Sequence, residues 1–217
     1  MWSPVPEQLF PGVYIEEVPS QVHPIEGVST TTAGFIGVSQ RGPGPLAIAS
    51  FAEYQRAFGL DPAGYLALAV RGFFENGGKL CWVIRIAPGD ALEAALDALA
   101  NEKISILNSP DEHSIPNAAA VLAAHCEQRR DRMCILQSPQ PVLPDAAHVV
   151  PVHSSYAAYY YPWLNVASLD GSTSVSVPPG GHIAGVYART DIARGVHKAP
   201  ANVPIVGAKA QIGRAHV

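Results

Sequence analysis

The sequence feature that most constrains the fold is a nearly continuous apolar run at residues 80–86, preceded by Gly77 and Gly78. A strand that is exposed on one face alternates apolar and polar residues, whereas this run is apolar at adjacent positions. Its length suits a strand better than a helix. We therefore predict a central strand over residues 79–86, buried by other layers on both faces.

Strand and helix signals alternate along the rest of the chain. Strands are predicted at residues 30–38, 79–86, 104–107, 132–136 and 155–161. Helices are predicted at residues 50–58, 65–76, 90–99, 115–128 and 183–193. Parallel strands need crossover connections, and those crossovers form the covering layers. The predicted fold class is therefore α/β, with a mostly parallel sheet and helices on both faces.

Local signals set several boundaries. Ser50 with Glu53, and Asp90 with Glu93, have the spacing of capping boxes that begin helices. Glycines mark the expected ends of the first two helices, at Gly59 and at the Gly77 pair. Two segments are predicted to be surface loops because one is rich in proline and the other in Ser, Thr and Gly. These segments are residues 138–152 and 168–179.

Residues 1–29 are predicted to form an extended N-terminal arm. Pro11 and Gly12 form a turn, a segment of strand-forming character follows, and Pro19 ends it. The segment consists of Val13, Tyr14, Ile15, Glu16, Glu17 and Val18. A short terminal strand must satisfy its backbone hydrogen-bonding groups at a sheet edge, and that edge could belong to a neighbouring subunit. We therefore predict that these six residues form a subunit interface.

The composition excludes several classes of function. A net charge of -4, without a basic cluster, argues against a nucleic-acid-binding protein. Charged residues make up only 15% of the chain, which suggests a surface partly covered by partners. The first residues lack the pattern of a signal peptide, and no apolar run is long enough to span a membrane. The chain is expected to be soluble and cytoplasmic when made.

No motif indicates catalysis, a cofactor or a metal ion. Cys81, Cys126 and Cys134 are odd in number and far apart, and they are predicted to be buried free thiols. The eight histidines lack metal-ligand spacing. Residues 178–182 contain a glycine pair without the Lys and Ser or Thr of a phosphate loop, so a tight turn is predicted there. An enzyme on a doubly wound α/β sheet, with its site near the strand ends, remains an alternative.

Several segments together resemble the contractile tail sheath family of bacteriophages and related injection systems. The matching segments are residues 10–19, 24–30, 41–43, 73–78, 159–163, 177–191 and 194–202. The resemblance implies a non-enzymatic subunit that polymerises into a helical sleeve around an inner tube. The sleeve contracts to drive the tube through a target cell envelope. In this family, terminal arms add strands to neighbouring subunits, which agrees with the predicted role of residues 13–18.

The resemblance also implies the partners and the location. The expected partners are other sheath subunits and the inner tube protein, without nucleic acid and without direct membrane insertion. The subunit is expected in a virion tail or injection particle and is assembled in the bacterial cytoplasm. Residues 30–211 are expected to form an α/β sheath core that is incomplete at its carboxyl end.

The last residues are expected to be foreign to the protein. Residues 212–217 correspond to the translation of a sequence that resembles a common sequencing adapter. The expectation is that the reading frame runs off a truncated read, so that these six residues are not native.

Overall fold

The computed structural model describes residues 31–61, 64–87, 92–140 and 150–211. The predicted arm over residues 1–29, Asp90 of the second capping box and the predicted adapter translation at residues 212–217 lie outside this part of the chain. The arm, the second capping box and the foreign ending therefore stay predictions.

The fold is built on a six-stranded sheet. Its strands are β1 (Ala33–Val38), β2 (Leu46–Ile48), β3 (Cys81–Ile86), β4 (Ile106–Asn108), β5 (Met133–Gln137) and β6 (Ala157–Tyr160). Their spatial order is β2-β3-β1-β4-β5-β6. The short β2 is antiparallel to β3, and the other neighbours are parallel. The predicted α/β class with a mostly parallel sheet is confirmed.

Helices cover both faces of this sheet. They are α1 (Phe51–Phe58), α2 (Leu66–Glu75), α3 (Leu92–Ala98), α4 (Ala118–Arg129) and α5 (Gly180–Arg194). Adjacent strand residues point to opposite faces. Thus Phe35 packs in the cluster that contains α1, α2 and α5, while Ile36 packs in the cluster that contains α3 and α4. In β3, Val83 packs in the first of these clusters and Ile84 in the second, which confirms that β3 is buried on both faces.

A second, three-stranded antiparallel sheet lies beside α2. Its strands are β7 (Leu164–Ala167), β8 (Ser174–Val177) and β9 (Ala208–Gln211), in the order β8-β7-β9. Leu164, Val166 and Val177 pack on Leu68 of α2.

The prediction of a loop over residues 168–179 is wrong in its second half, because β8 occupies Ser174–Val177. The Ser and Val alternation of β8 is a half-buried strand pattern that the Ser, Thr and Gly content concealed.

The helix ends follow the local signals closely. Ser50 Oγ accepts a hydrogen bond from the Glu53 N–H at 3.2 Å, but the Glu53 carboxylate accepts from the Ala49 N–H at 2.9 Å. The reciprocal bond thus forms one residue earlier than in the standard capping box. At the end of α2, Gly77 has φ 103 and the Gly78 N–H donates to the Phe73 carbonyl at 3.0 Å. This left-handed glycine stop is confirmed.

Two helix starts differ from the predictions. Helix α4 begins at Ala118 rather than at 115, because Asn117 has φ 56 and breaks the helical path. Helix α5 begins at Gly180, so the predicted tight turn over residues 178–182 is wrong. Gly181 lies against α2, and a Cβ at this position would come within 2.4 Å of the Ala69 carbonyl oxygen. Gly181 is therefore required by close helix packing rather than by a turn.

The three cysteines are free and buried, as predicted. Within the described ranges, no helix is both long and apolar enough to cross a membrane.

Candidate functional site

The residues predicted to form a subunit interface lie outside the described residues. They are Val13, Tyr14, Ile15, Glu16, Glu17 and Val18.

Two other parts of the fold bear on function. A doubly wound sheet binds ligands at the carboxyl ends of its strands, where the strand order changes direction. An exposed sheet edge can accept a strand from another chain.

The change of direction in this sheet lies between β1 and β4. The chain proceeds from β1 to β3 on one side, and then to β4, β5 and β6 on the other. Asp111 follows β4 at this point and is buried. Its carboxylate accepts hydrogen bonds from the N–H of Val38, the last residue of β1, and from the Tyr65 N–H before α2, each at 2.8 Å. One side chain thus joins three segments of the chain.

The backbone closes around the Asp111 carboxylate. A Cβ at Gly37 would come within 2.9 Å of Asp111 Oδ2, and one at Gly64 within 3.2 Å of Oδ1. Burial raises the pKa of Asp111 above its usual value, although the two backbone hydrogen bonds oppose that rise. The position where an enzyme of this topology would bind its ligand is therefore occupied by the protein's own backbone and carboxylate.

Gln137, the last residue of β5, organises the neighbouring strand ends. Its Oε1 accepts from the Gly180 N–H at 2.9 Å, and its Nε2 donates to the Ser109 carbonyl at 2.8 Å. Asn108 donates through Nδ2 to the Ile135 carbonyl at 2.9 Å. These buried amides connect β4, β5 and the first turn of α5. The hydrogen bonds of Gln137 and of Asn108 Nδ2 therefore stabilise the fold itself.

Glu112 is the most perturbed carboxyl group in this region. Its Oε1 accepts from the Gln137 N–H at 2.8 Å. Burial raises the pKa of Glu112 to about 8, so the group is mainly protonated at neutral pH. The His113 Nε2 lies 3.6 Å from Oε1, and burial lowers the pKa of His113. The neutral carboxyl group acts as a hydrogen-bonding group in the scaffold.

No group of side chains that could hold a metal ion is found in the part of the chain that the structure describes. A cavity of about 590 Å³ lies beside Glu112 and His113. It is bordered by Pro139 and Pro151, between which residues 141–149 lie outside the described part.

A second, more apolar groove lies beside β6, at the opposite edge of the sheet from β2. It has a volume of about 580 Å³ and is lined by β6, α5 and residues 199–205. Tyr160 from β6 and Tyr187 from α5 meet through their hydroxyl groups at 3.0 Å. Burial and this hydrogen bond raise the pKa of Tyr160, so its phenol is neutral at neutral pH. The groove wall is therefore aromatic and uncharged at this point.

The groove unites residues that are distant in sequence. The density of Tyr and Pro over residues 156–163 indicates either a binding surface or packing. Nothing in the sequence indicates that the second wall, residues 199–205, lies against the first. It is held in place by Arg189, which donates to the Pro204 carbonyl. Only the three-dimensional arrangement brings these two walls together.

A family model for the central domain of phage tail sheath proteins matches residues 87–210. This match covers more than half of the chain. The chain belongs to the phage tail sheath family. None of the curated proteins compared with it matches significantly.

Solved sheath structures have the same fold. The helical sheath of the anti-feeding prophage in its contracted state is 29% identical, with a TM-score of 0.69 over 97% of this chain and 61% of that chain. A chain of the baseplate of the same particle is 29% identical, with a TM-score of 0.68 over 97% and 60%. The sheath complex of an extracellular contractile injection system, PVC, in its contracted state is 26% identical, with a TM-score of 0.66 over 97% and 58%.

This sheath family member thus spans about 60% of the length of the solved chains that it resembles. The six-stranded sheet, the second sheet and the groove beside β6 all lie in the shared part of the fold. The enzyme alternative is not supported by these likenesses.

Proposed function

We propose that this chain is a structural subunit of a contractile sheath. In this proposal, it polymerises helically around an inner tube and contracts to drive the tube through a target cell envelope. The observation that carries the proposal is the likeness to sheath chains in the contracted state, at 29% and 26% identity over 97% of the chain. The role is non-enzymatic, and it requires neither a cofactor nor a metal ion.

The internal polar network fits such a role. Asp111 and Gln137 use their buried polar atoms to connect strands and helices. Buried hydrogen bonds between segments make a core rigid, and a rigid subunit can move as one body while its contacts with neighbours change.

The contacts between subunits are proposed to use the N-terminal arm. Residues 13–18 would add a strand to a neighbouring copy, and a head-to-tail contact that does not close generates a helix. The other partner is the inner tube protein. Nucleic acid and the lipid bilayer are not partners in this proposal. The subunit would be assembled in the bacterial cytoplasm into a virion tail or injection particle.

The proposal is tested by deleting residues 1–20 from a full-length sheath protein that carries this sequence. The truncated protein should stay folded but fail to form sheaths, because the pairing strand is lost. Negative-stain electron microscopy and sedimentation would measure assembly, and circular dichroism would measure folding.

Deletion of residues 1–8 is the matched control, since it shortens the chain but keeps the predicted strand. This variant should assemble normally. Val13→Pro together with Ile15→Pro tests the same strand at full length, because proline removes a donor for strand pairing. Normal sheaths from the 1–20 deletion or from the double proline variant would refute the proposed role of the arm.

A further inference from the structure

We propose that His182 makes the contact between α2 and α5 an acid-sensitive joint, in which the buried imidazole takes up one proton and α5 separates from α2. This property of the subunit is independent of the proposed sheath function. It follows from the burial of the ring, from its two nitrogen atoms, which lack hydrogen-bonding partners among the described residues, and from the small residues that line the contact.

The imidazole ring of His182 is enclosed between the two helices. The residue lies in the first turn of α5 and is 1% exposed. A Cβ at Gly72 of α2 would overlap three atoms of the ring, so the ring fills the space that a side chain would occupy there. Buried polar atoms are usually hydrogen-bonded, yet neither Nδ1 nor Nε2 has a partner in the described part of the chain. Such a site tolerates a neutral ring but not a charged one.

The groups that face His182 oppose its protonation. Arg71 of α2 is the charge that acts on the ring. Glu75, the acid on the same helix, is paired with Arg71, with 3.6 Å between Oε1 and Nε. The ends of β4 and β5 present the uncharged Asn108 and Gln137 to the start of α5. An imidazolium ion in this contact would therefore meet a like charge without a free carboxylate beside it.

The other ionisable groups nearby are engaged elsewhere. The carboxyl groups that follow β4, Asp111 and Glu112, accept hydrogen bonds from the backbone of β1, β5 and the residue before α2. The Tyr187 hydroxyl on α5 bonds to that of Tyr160 on β6. The charged residues of α5 begin at Arg189, seven residues and thus about 10 Å along the helix from His182.

The pKa of His182 sets the direction of the pH effect. Burial, and then the Arg71 charge, lower this pKa from 6.5 to about 4 in the folded state. The contribution of the neutral ring to stability is therefore complete above pH 6.5 and is lost as the pH falls from 6.5 through 4. In that range the equilibrium constant for opening rises by up to about tenfold per pH unit. The raised pKa of Glu112 acts in the opposite direction, so the two effects must be separated by substitution.

The contact between α2 and α5 is where the chain opens to admit water to the ring. The buried residues of α5 are mostly glycine and alanine, and Gly181 and Gly185 lie directly against the α2 backbone. Separation of α5 therefore exposes little apolar side-chain area. The strands of the main sheet bury large side chains on both faces and open at a higher cost.

The test compares unassembled subunits of a full-length sheath protein that carries this sequence, unsubstituted and as His182→Phe. Phenylalanine keeps a flat ring but cannot take up a proton. Urea denaturation at pH 7 and pH 5 gives the unfolding constants. The ratio of the unsubstituted constant to that of His182→Phe should rise about twentyfold from pH 7 to pH 5. His153→Phe, at an exposed position before β6, is the matched control and should leave this pH dependence unchanged.

Two further measurements locate the effect. Nuclear magnetic resonance of labelled histidine, with the His182 signal assigned by its loss in His182→Phe, should give a pKa below 5 for that imidazole. Hydrogen exchange, corrected for the intrinsic rates, should show that acid lowers protection in α5 about tenfold more than in β1 and β3. The difference between α5 and the strands should disappear in His182→Phe.

Three results would overturn the inference. These are parallel pH profiles for the unsubstituted protein and His182→Phe, an imidazole of His182 that titrates near pH 6.5, and an equal loss of protection in α5, β1 and β3. If His182→Phe does not fold, His182→Gln takes its place in the denaturation and exchange experiments. None of these results bears on the sheath function, because assembly is not the quantity measured.

Discussion

Polar side chains at the strand ends, where an enzyme of this topology would place its catalytic groups, form structural hydrogen bonds in this protein. Asp111 accepts two backbone hydrogen bonds, and Gln137 connects Ser109 with Gly180. Their types can be read from the sequence, but their roles depend on which strands become neighbours. A carboxylate beside a strand end is compatible with catalysis until its partners are known.

Glu112 should make stability depend on pH. Burial raises its pKa from the ordinary 4.5 to about 8 in the folded state. Because the folded-state pKa is raised, the contribution of Glu112 to the free energy of unfolding is greatest below pH 4.5. It is lost as the pH rises through 8, and the free energy of unfolding falls by up to about 1.4 kcal/mol per pH unit in this range. Glu112→Gln cannot ionise. Its stability relative to the unsubstituted protein should therefore increase between pH 5 and pH 8, as urea denaturation at several pH values would show.

Glu127→Gln is the matched control for this experiment, because Glu127 is exposed on α4. It should keep the pH profile of the unsubstituted protein. Parallel profiles for Glu112→Gln and the unsubstituted protein would contradict the assignment of a buried, neutral carboxyl group.

At the scale of elements, the pairing of α2 with α5 depends on glycine. Gly181 and Gly185 face α2, and a Cβ on either would come within 2.4 Å of a backbone carbonyl oxygen, of Ala69 and Phe73 respectively. The ring of His182 lies over Gly72 in the same interface, where a Cβ would come within 2.4 Å of it. The two helices therefore approach more closely than ordinary side chains permit.

Gly181→Ala should destabilise the protein despite the higher helix propensity of alanine. The new methyl group meets backbone atoms that cannot move aside, and overpacking of this kind costs about 1–3 kcal/mol. Chemical denaturation would measure the loss. Gly44→Ala is the matched control, since no atom lies within 4 Å of a Cβ there. Equal stability of the two variants would show that the helices can separate without cost.

The elements that the sequence predicts well are those with a local cause. The apolar run of β3, the Ser50 cap and the glycine stop after α2 need only neighbouring residues. The start of α5 differs from the prediction because Gly180 and Gly181 resemble a turn. Their physical cause is distant in sequence, since Gly180 lies against the Asn108 and Gln137 side chains and Gly181 against Ala69. Likewise, β2 spans only Leu46–Ile48, which is too short to show a period, and it exists because it pairs with β3.

At the scale of the whole molecule, α2 joins the two sheets. Asn76, at its end, is buried and bonds both backbone groups of Val206, just before β9. Its Nδ2 donates to the Val206 carbonyl at 3.0 Å, and its Oδ1 accepts from the Val206 N–H at 2.8 Å. Arg71 donates to the carbonyls of Ala167 and Ser168 at the end of β7. The Ser and Val alternation of β8 is typical of a strand, whereas no local pattern predicts the pairing of β7 with the distant β9.

Asn76→Ala should loosen the second sheet while the six-stranded sheet stays intact. The substitution removes both hydrogen bonds to Val206, each of which contributes about 0.5–1.5 kcal/mol. Hydrogen exchange should become faster at Val206 and in β9, with little change in β1 and β3. Asn101→Ala, at an exposed position, is the control. Unchanged protection of Val206 would refute the role of Asn76.

The connection through α2 has a mechanical consequence. A pull on residues 208–211 acts on β7 through the strand pairing and reaches α2 through Arg71 and Asn76. Helix α2 is in turn packed against α5 and the main sheet. Tension applied at the small sheet is therefore shared by the whole core instead of peeling off one strand. In the proposed sheath, such a subunit would move as one body, and displacement under load would fall on the contacts between subunits.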